Sequence, residues 1–255
     1  MEEESVFIKK RLRELADRSF HEHRYLYSDF LSLYGLSAFH EISQELSFAA
    51  PFVFGGCKEA ERCMVRFGSE ELFGYEEPFP IRILSIRPAM AKYAQSLSHR
   101  DFLGSVIGLG LEREKLGDIF VKENEACMFV QEGVADYIAE QLTTVKHTNV
   151  RVTFLSDVPE GMMPKLSEQS VLVSSNRIDG ILSKLYGISR EEAGRLIKNG
   201  CVFFDGKTVT KSTVSPASGQ VVSVRGYGRF IYDGEGNRTK KDKLHLHLRV
   251  YESGR

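Results

Sequence analysis

The residues of this 255-residue chain that are best suited to chemistry are cations near its carboxyl end. Arg190, Arg195 and Lys198 fall within an arc of about 140° if their segment is helical, at about 100° per residue. Arg177 and Lys184 extend the same basic surface from a preceding helix. An arginine guanidinium hydrogen-bonds two phosphate oxygens at once and also stacks on a nucleobase. The spacing therefore predicts a surface that contacts a polyanion.

A second group of candidate residues lies in the glycine-rich stretch RGYGRF. Arg225 and Arg229 place two guanidinium groups beside the ring of Tyr227, in a segment that glycine allows to turn tightly. Lys207, which follows a predicted hairpin turn, completes the candidate set. Cations interleaved with an aromatic ring are typical of RNA contacts.

The distribution of charge along the chain agrees with this interpretation. The formal net charge is only -1, but residues 1–175 carry 19 Lys and Arg against 27 Asp and Glu, whereas residues 176–255 carry 15 against 8. Lys and Arg gain affinity for nucleic acid by releasing counterions from phosphates, so the basic end is predicted to face a polyanion. The alternative is a solvated face with a chance excess of positive charge.

Two short helices must position the first group of cations. Asn176 is predicted to cap the first helix, and Gly187 to end it in a left-handed conformation. Its apolar stripe consists of Ile178, Ile181, Leu182 and Leu185. Ser189 and Glu192 form a predicted capping box for the second helix, which buries Ala193, Leu196 and Ile197 and ends at Gly200.

A small sheet is predicted to follow these helices. Residues 201–205 form a strand, and Asp205-Gly206 reverses the chain into residues 207–210. Further strands are predicted at residues 221–225 and 230–233. The segment from residue 176 to residue 255 is therefore one domain with two helices and a β-hairpin.

The rest of the chain predicts two more domains and a linker. Residues 1–80 contain two helices and a small sheet, and Phe7, Ile8, Leu12 and Leu15 recur near helical spacing in the first helix. Residues 81–155 read as strand, helix, strand, strand, helix and strand, with strands at 81–86, 117–121, 126–130 and 150–154. Ser98 and Asp101 form the cap of the first of these helices.

This order predicts a two-layer split βαβ domain of the kind that RNA-recognition domains use. Phe120 and Phe129 are candidates for stacking on bases, but core positions are the favoured interpretation. Residues 156–175, rich in proline and glycine near their start, are predicted to be a linker. The chain as a whole is predicted to be a multidomain α+β protein.

The last domain resembles the S-four RNA-binding domain, named after the fourth protein of the small ribosomal subunit. The resemblance rests on a series of fixed spacings over about 35 residues: Arg177-Ile178-Asp179, Leu182, Ser189-Arg190, Ala193, Leu196-Ile197, Gly200, Val202, Asp205-Gly206 and Val209. It implies an S-four-like fold of two helices and a β-hairpin. It also implies that RNA is contacted by Arg190, Arg195 and Lys198, and by Arg177. The alternative is a solvated helix face, with Arg177 paired to Asp179 or Glu191.

The resemblance extends beyond that domain, to the bacterial YlmH family. The segments GGCKEAER, HRDFLGSVIGLGLEREKLGDIFV and VRGYGRF carry it, and it covers nearly the whole chain. The family is encoded near cell-division genes. The resemblance implies a role in translation, in which the S-four domain binds ribosomal RNA of the large subunit while peptidyl-tRNA remains there after subunit splitting.

No catalytic, cofactor or metal motif was found in the sequence. Gly108-Leu109-Gly110 begins like a dinucleotide loop, but Arg113 stands where the third glycine belongs. His21 and His23 would face different ways on a helix, and His245 and His247 have no third ligand nearby. Disulfides and zinc are not expected at Cys57, Cys63, Cys127 and Cys201.

We therefore expect a cytoplasmic, monomeric, non-catalytic RNA-binding protein with no cofactor and no membrane partner. No apolar run reaches the roughly 18 residues that cross a bilayer. Two alternatives stay open. One is an RNA-modifying enzyme of the pseudouridine synthase or methyltransferase class, because S-four domains often accompany such enzymes. The other is a cell-division scaffold.

Overall fold

The computed structural model describes residues 2–58, 60–90, 95–239 and 242–252 of the chain. The chain divides into two compact units, Met1–Met163 (unit 1) and Pro164–Arg255 (unit 2). The described residues form seven α-helices and three antiparallel sheets. The prediction of a multidomain α+β protein is confirmed.

The first part of unit 1, the N-terminal module, packs helices on a small sheet. Its helices are α1 (Glu2–Glu22), α2 (Leu33–Ile42) and α3 (Glu70–Phe73). Its strands are β1 (Leu26–Tyr27), β2 (Phe52–Phe54) and β3 (Met64–Phe67), which pair in the order β1-β3-β2. Leu12 and Leu15 of α1 enter the core, as predicted. Phe7 does not, because it lies on the solvent side of α1 with 70% of its surface exposed.

The middle domain has the predicted order of elements. They are β4 (Ile81–Pro88), α4 (His99–Ile107), β5 (Leu116–Lys122), β6 (Glu125–Gln131), α5 (Glu132–Gln141), β7 (Thr144–Val145) and β8 (Thr148–Leu155). The sheet order is β5-β6-β4-β8-β7, with antiparallel pairing throughout. This is the strand arrangement of the split βαβ fold, with β7 as a short addition at one edge.

The two helices of the middle domain cover one face of its sheet. Leu84 and Ile86 of β4 alternate with residues that point to the other face, and they pack with Phe102 of α4 and Ile138 of α5. The capping box predicted for α4 is present: Ser98 N and Oγ donate to the Asp101 carboxylate at 2.8 and 2.7 Å.

Unit 2 places two helices on one face of a six-stranded sheet. Its elements are β9 (Leu166–Val173), α6 (Ile178–Tyr186), α7 (Arg190–Lys198), β10 (Val202–Phe204), β11 (Lys207–Thr208), β12 (Val221–Val224), β13 (Gly228–Arg238) and β14 (Leu244–Tyr251). The sheet order is β11-β10-β12-β13-β14-β9. Side chains of both helices and of alternate strand positions form a single core.

The linker predicted at residues 156–175 is wrong for much of its length. Leu166–Val173 form β9, which pairs with β14 along its whole length, from Leu166 opposite Tyr251 to Val173 opposite Leu244. The division between the two units falls between Met163 and Pro164. The partner strand of β9 lies about 75 residues further along the chain, so local composition gave no sign of the pairing.

Candidate nucleic-acid interface

Helix α6 is anchored by its apolar stripe and by its ends. Ile178, Ile181 and Leu182 are buried, as predicted, and Gly187 ends the helix with a φ of 68°. The predicted cap at Asn176 is wrong, because the N-cap residue is Arg177 and its side chain makes no capping bond. Asn176 Nδ2 instead donates to Tyr232 Oη at 2.8 Å and to Glu235 Oε1 at 2.9 Å, which ties the start of α6 to β13.

Arg177 is engaged within the domain. Its Nε and Nη2 donate to the two carboxylate oxygens of Asp179 at 3.1 and 2.8 Å. The Asp179 side chain is 10% exposed and also accepts from Gly180 N at 2.8 Å. A buried carboxylate needs such partners, and at the first turn of a helix it also interacts favourably with the helix dipole. Arg177 is therefore first a structural partner of Asp179, although 41% of its side chain remains exposed.

Helix α7 begins at Ser189, whose Oγ accepts from Glu192 N at 3.0 Å. The other half of the predicted capping box is not formed, because the Glu192 carboxylate accepts from Tyr227 Oη at 3.1 Å instead. This bond raises the pKa of the Tyr227 hydroxyl. The Tyr227 ring packs on that of Tyr186, with centroids 5.1 Å apart. Tyr227 thus holds the β12–β13 loop against both helices, and its hydroxyl is already used within unit 2.

The predicted basic helical surface is present. Arg190, Arg195 and Lys198 are exposed, while Ala193 and Ile197 of the same helix are buried. Among the residues that the structure describes, none forms an ion pair with these three cations, so all three charges face solvent. Glu191, the acidic residue directly after Arg190 on α7, is also exposed. It lies between Lys198 and Arg195 around the helix axis, at about 100° per residue, and opposes their positive potential.

Arg190 also links the two helices. Its Nη2 donates to Ser174 Oγ at 3.2 Å. A Cβ atom at Gly180 would lie 3.4 Å from the same nitrogen, so the guanidinium lies over the face of α6 that contains Gly180. Lys184, exposed and one turn after Gly180, lies on that face as well. We call Lys184, Arg190, Arg195 and Lys198 the helical surface.

The predicted turn at Asp205-Gly206 is confirmed. Both residues have positive φ values, 45° and 77°, as a two-residue type I′ hairpin turn requires. The Asp205 carboxylate fixes the turn by accepting from Val221 N and Gln220 Nε2, both at 2.9 Å. Lys207, directly after the turn, is half-buried and lies opposite Phe204 in the hairpin.

The candidate residues do not form one continuous set. Arg225 and Arg229 lie on the sheet face opposite to the helices: the Arg225 guanidinium lies over Phe203 and that of Arg229 over Tyr251. Alternation explains this position, because Val224 and Phe230, their sequence neighbours, are buried beneath the helices. The sequence therefore predicted these cations correctly as surface residues, but it did not show that the two groups lie on opposite faces.

Three contributors to these surfaces were missed in the sequence. Glu191 was not weighed as a charge within the basic arc. Phe203 and Tyr251 were overlooked, although each alternates along its strand with buried residues. The run LHLHLRVY, residues 244–251, shows that period of two most clearly, and it identifies Tyr251 as outward-facing.

The face of the middle domain that RNA-recognition sheets usually offer to RNA is covered. Phe120 and Phe129, on neighbouring strands, are 8% and 0% exposed and pack with Phe30 and Met64 of the N-terminal module. The favoured core interpretation of the two rings is confirmed. Stacking of RNA on these two rings is therefore blocked in this structure.

A polar contact fixes the N-terminal module on that sheet. The Asp118 carboxylate accepts from Glu61 N at 2.6 Å and from Arg62 N at 3.3 Å. Arg62 Nε donates to Leu116 O at 2.9 Å and its Nη2 to Phe30 O at 3.0 Å. Burial lowers the pKa of Arg62 to about 10 and raises that of Asp118. The pair is structural, since its hydrogen bonds are directed to the backbone.

No constellation suited to metal binding is present within the described ranges. They hold no group of three or more His, Cys, Asp or Glu side chains that could bind a metal ion. Cys63 and Cys127 are buried, and burial raises the pKa of both thiols to about 12. Cys57 and Cys201 are half-buried. None of the described helices is long and apolar enough to cross a membrane.

Comparison with known proteins places these features in a family. A family model described as "Putative RNA-binding domain in YlmH" matches residues 75–157. The chain is 32% identical over 191 residues to "Ribosome-associated protein quality control protein P2" of Bacillus subtilis (strain 168), covering 74% of this chain and 73% of the relative. The solved structure of "Cell division protein ylmH from Streptococcus pneumoniae" aligns with a TM-score of 0.49 at 18% identity, over 60% of this chain and 91% of that one. On the strength of the identity to the Bacillus subtilis relative and its coverage, the chain belongs to the YlmH family.

Proposed function

We propose that this chain is a non-catalytic RNA-binding protein that associates with the ribosome in the cytoplasm. The observation that carries the proposal is the helical surface, where Arg190, Arg195 and Lys198 project from one helix with no ion-pair partner among the described residues. Exposed cations at this spacing suit phosphates on a folded RNA, because each contact releases counterions. Two findings support the general role: the RNA-binding description of the matched family model and the ribosome-associated name of the Bacillus subtilis relative.

The finer part of the proposal concerns the partner. We propose that the chain, as a monomer, binds ribosomal RNA of the large subunit through unit 2, in an S-four-like manner, and that peptidyl-tRNA is a second partner. The charge distribution supports this orientation, because residues 176–255 have an excess of cations and residues 1–175 an excess of anions. The excess of cations favours contact through unit 2, alongside residues 75–157, which the RNA-binding family model matches.

Two surface depressions of unit 1 hold no thiol activated for catalysis among their described residues. One, of about 250 Å³, is lined by Cys127 and Glu125 together with Lys122, Glu123 and Glu160. The Cys127 thiol has its pKa raised to about 12 by burial, and Glu125 pairs with Arg87 at 3.1 Å. A thiol of that pKa is a poor nucleophile at neutral pH. A second depression, of about 260 Å³, is lined by apolar side chains, by Ser156 and by Arg82, whose Nη1 donates to Glu132 Oε1 at 3.2 Å. Arg82 is the only ionisable side chain among the described residues of that lining, which therefore offers no acid–base pair.

Ribosome co-sedimentation across a salt series tests the proposal. The variant Arg190→Glu with Arg195→Glu should be released from large subunits at salt concentrations that retain the native chain. The matched control is Lys10→Glu with Arg11→Glu on α1, where both side chains are at least 60% exposed and the change in net charge is the same. The control should sediment like the native chain.

The alternatives predict different results. Sedimentation of the folded Arg190/Arg195 variant at the native level would reject the helical surface as the RNA site. Association that survives both nuclease and high salt would favour the scaffold alternative. Appearance of a modified nucleotide in ribosomal RNA incubated with the chain would favour the enzyme alternative.

A further inference from the structure

The face of the unit 2 sheet that the helices leave open carries a row of residues with aromatic and cationic character. Phe203 of β10 lies opposite Ser223 of β12, and Ser223 lies opposite Arg229 of β13. The register between β13 and β14 then places Arg229 beside Tyr251. Because residues directly opposite in an antiparallel sheet share a face, these four side chains project from the same side. We call this row, with Arg225, the outer sheet surface.

Each aromatic ring in the row has an arginine over it. The Arg225 guanidinium carbon lies 5.0 Å from the centroid of the Phe203 ring, and that of Arg229 lies 4.8 Å from the centroid of Tyr251. Both distances are within the range of cation–π contacts. Both arginines are exposed and both rings are half-buried, so each pair lies at the surface of the sheet.

The charges around the row favour an anionic ligand. None of its members is acidic, and the acid nearest along β13, Asp233, is held by Arg249 through bonds of 2.8 to 3.0 Å. Glu168 of β9 lies opposite that same arginine. Positive groups combined with aromatic faces are the features by which proteins hold single-stranded nucleic acid, where bases stack on rings and phosphates meet cations.

We propose that the outer sheet surface binds unpaired nucleotides of RNA by stacking their bases on the Phe203–Arg225 and Tyr251–Arg229 pairs. This inference rests on the proposed function, because it gives the same RNA ligand a second site on the opposite face of unit 2. The two rings are three strands apart, roughly 14 Å at about 4.8 Å per strand. That is wider than the roughly 3.4 Å rise between stacked bases, so the ligand is a loop with splayed bases rather than a continuous stack.

Two RNA probes separate the outer sheet surface from the helical surface. One is a hairpin whose loop has eight unpaired nucleotides, and the other is a blunt duplex with the same stem, both measured by fluorescence anisotropy on the full chain. The native chain should bind the hairpin more tightly than the duplex.

The variant Phe203→Leu with Tyr251→Leu should lose that preference, by about fivefold to a hundredfold for each stacked base. This loss should persist at high salt, because stacking releases no counterions. Arg190→Glu with Arg195→Glu should weaken binding of both probes alike.

A second variant keeps the test decisive if the leucine variant is unstable. Arg225→Lys with Arg229→Lys retains both charges on exposed positions but removes the planar groups, so the hairpin preference should fall. Retention of the native preference by the folded leucine variant or by the lysine variant would overturn stacking. If the helical-surface variant still lost both probes, the proposed function would stand without the second site. Failure of the native chain to bind either probe would overturn both proposals.

Discussion

At the scale of single residues, Glu191 is the side chain whose charge opposes the proposed RNA contacts. It is exposed on α7 between Arg195 and Lys198, and no described residue pairs with it in an ion pair. A carboxylate at this position repels a phosphate that the neighbouring cations attract. Its presence shows that the number of cations alone overstates the positive potential of the helical surface.

We therefore predict that Glu191→Gln strengthens binding to purified ribosomal RNA of the large subunit. The gain should be about 0.2–1 kcal/mol at low salt, the size of an exposed charge interaction, and should shrink as salt screens it. Filter binding at two salt concentrations measures it. Glu14→Gln on α1, also exposed, is the control and should leave affinity unchanged. Weaker binding of the Glu191→Gln variant would indicate that RNA does not contact the helical surface.

Asp179 is a second acidic residue of unit 2, and its role is to stabilise the fold. Asp179→Ala removes a buried carboxylate that holds Arg177 and Gly180 N, so unit 2 should lose roughly 1–3 kcal/mol of unfolding free energy. Urea unfolding monitored by circular dichroism measures this loss. Asp242→Ala is the control, since Asp242 also pairs with an arginine, Arg238, but is 85% exposed. Equal stability of the two variants would mean that the Asp179 contacts contribute little.

At the scale of elements, the sequence correctly predicted most features that depend on residues close together in the chain. The ends of α6 and α7, the turn at Asp205-Gly206 and the cap of α4 each depend on residues within about four positions, and all were found apart from the Asn176 cap and half of one capping box. Those two failures have one cause. Asn176 and Glu192 turn to Tyr232 and Tyr227, which are distant in sequence.

The cap of α4 gives a prediction of pH dependence. Hydrogen bonds from Ser98, with the Lys146 ammonium at 3.0 Å, lower the pKa of the Asp101 carboxyl from 3.8 to about 2. A lowered pKa means that the carboxylate stabilises the folded state fully above about pH 4 and loses this effect as the pH falls toward 2. Asp101→Asn should therefore lower the melting temperature at pH 7, and the difference from the native chain should narrow on acidification. A difference independent of pH would contradict a role for the charge.

At the scale of the whole molecule, the covering of the middle-domain sheet by the N-terminal module was not predictable from local patterns. Residues 117–121 and 126–130 read correctly as strands, yet nothing within them reveals that Phe30 and Met64 pack on their outer face. The same limit explains β9, whose partner is distant in the chain. It also explains why the sequence did not place the two groups of cations on opposite faces of unit 2.

The packing of the N-terminal module on the sheet can be tested at Gly117. A Cβ atom there would lie 2.8 Å from Phe30 Cε1 and 2.9 Å from Phe129 Cβ. Gly117→Ala should therefore destabilise unit 1 by about 1–3 kcal/mol through overpacking. Gly104→Ala is the matched control, because it lies on an exposed face of α4 with nothing within 4 Å, and it should stabilise by roughly 0.5–1 kcal/mol. Denaturant unfolding measures both, and equal effects of the two substitutions would contradict the packing.

The salt dependence of RNA binding tests the helical surface most directly. The measurement is the slope of log affinity against log salt concentration for binding to ribosomal RNA of the large subunit. It compares the native chain with a triple variant that combines Arg190→Gln, Arg195→Gln and Lys198→Gln. If each cation neutralises one phosphate, the slope should become shallower by about 0.7–0.9 per residue, or roughly 2–3 in total. An unchanged slope in the folded triple variant would contradict phosphate binding by these residues.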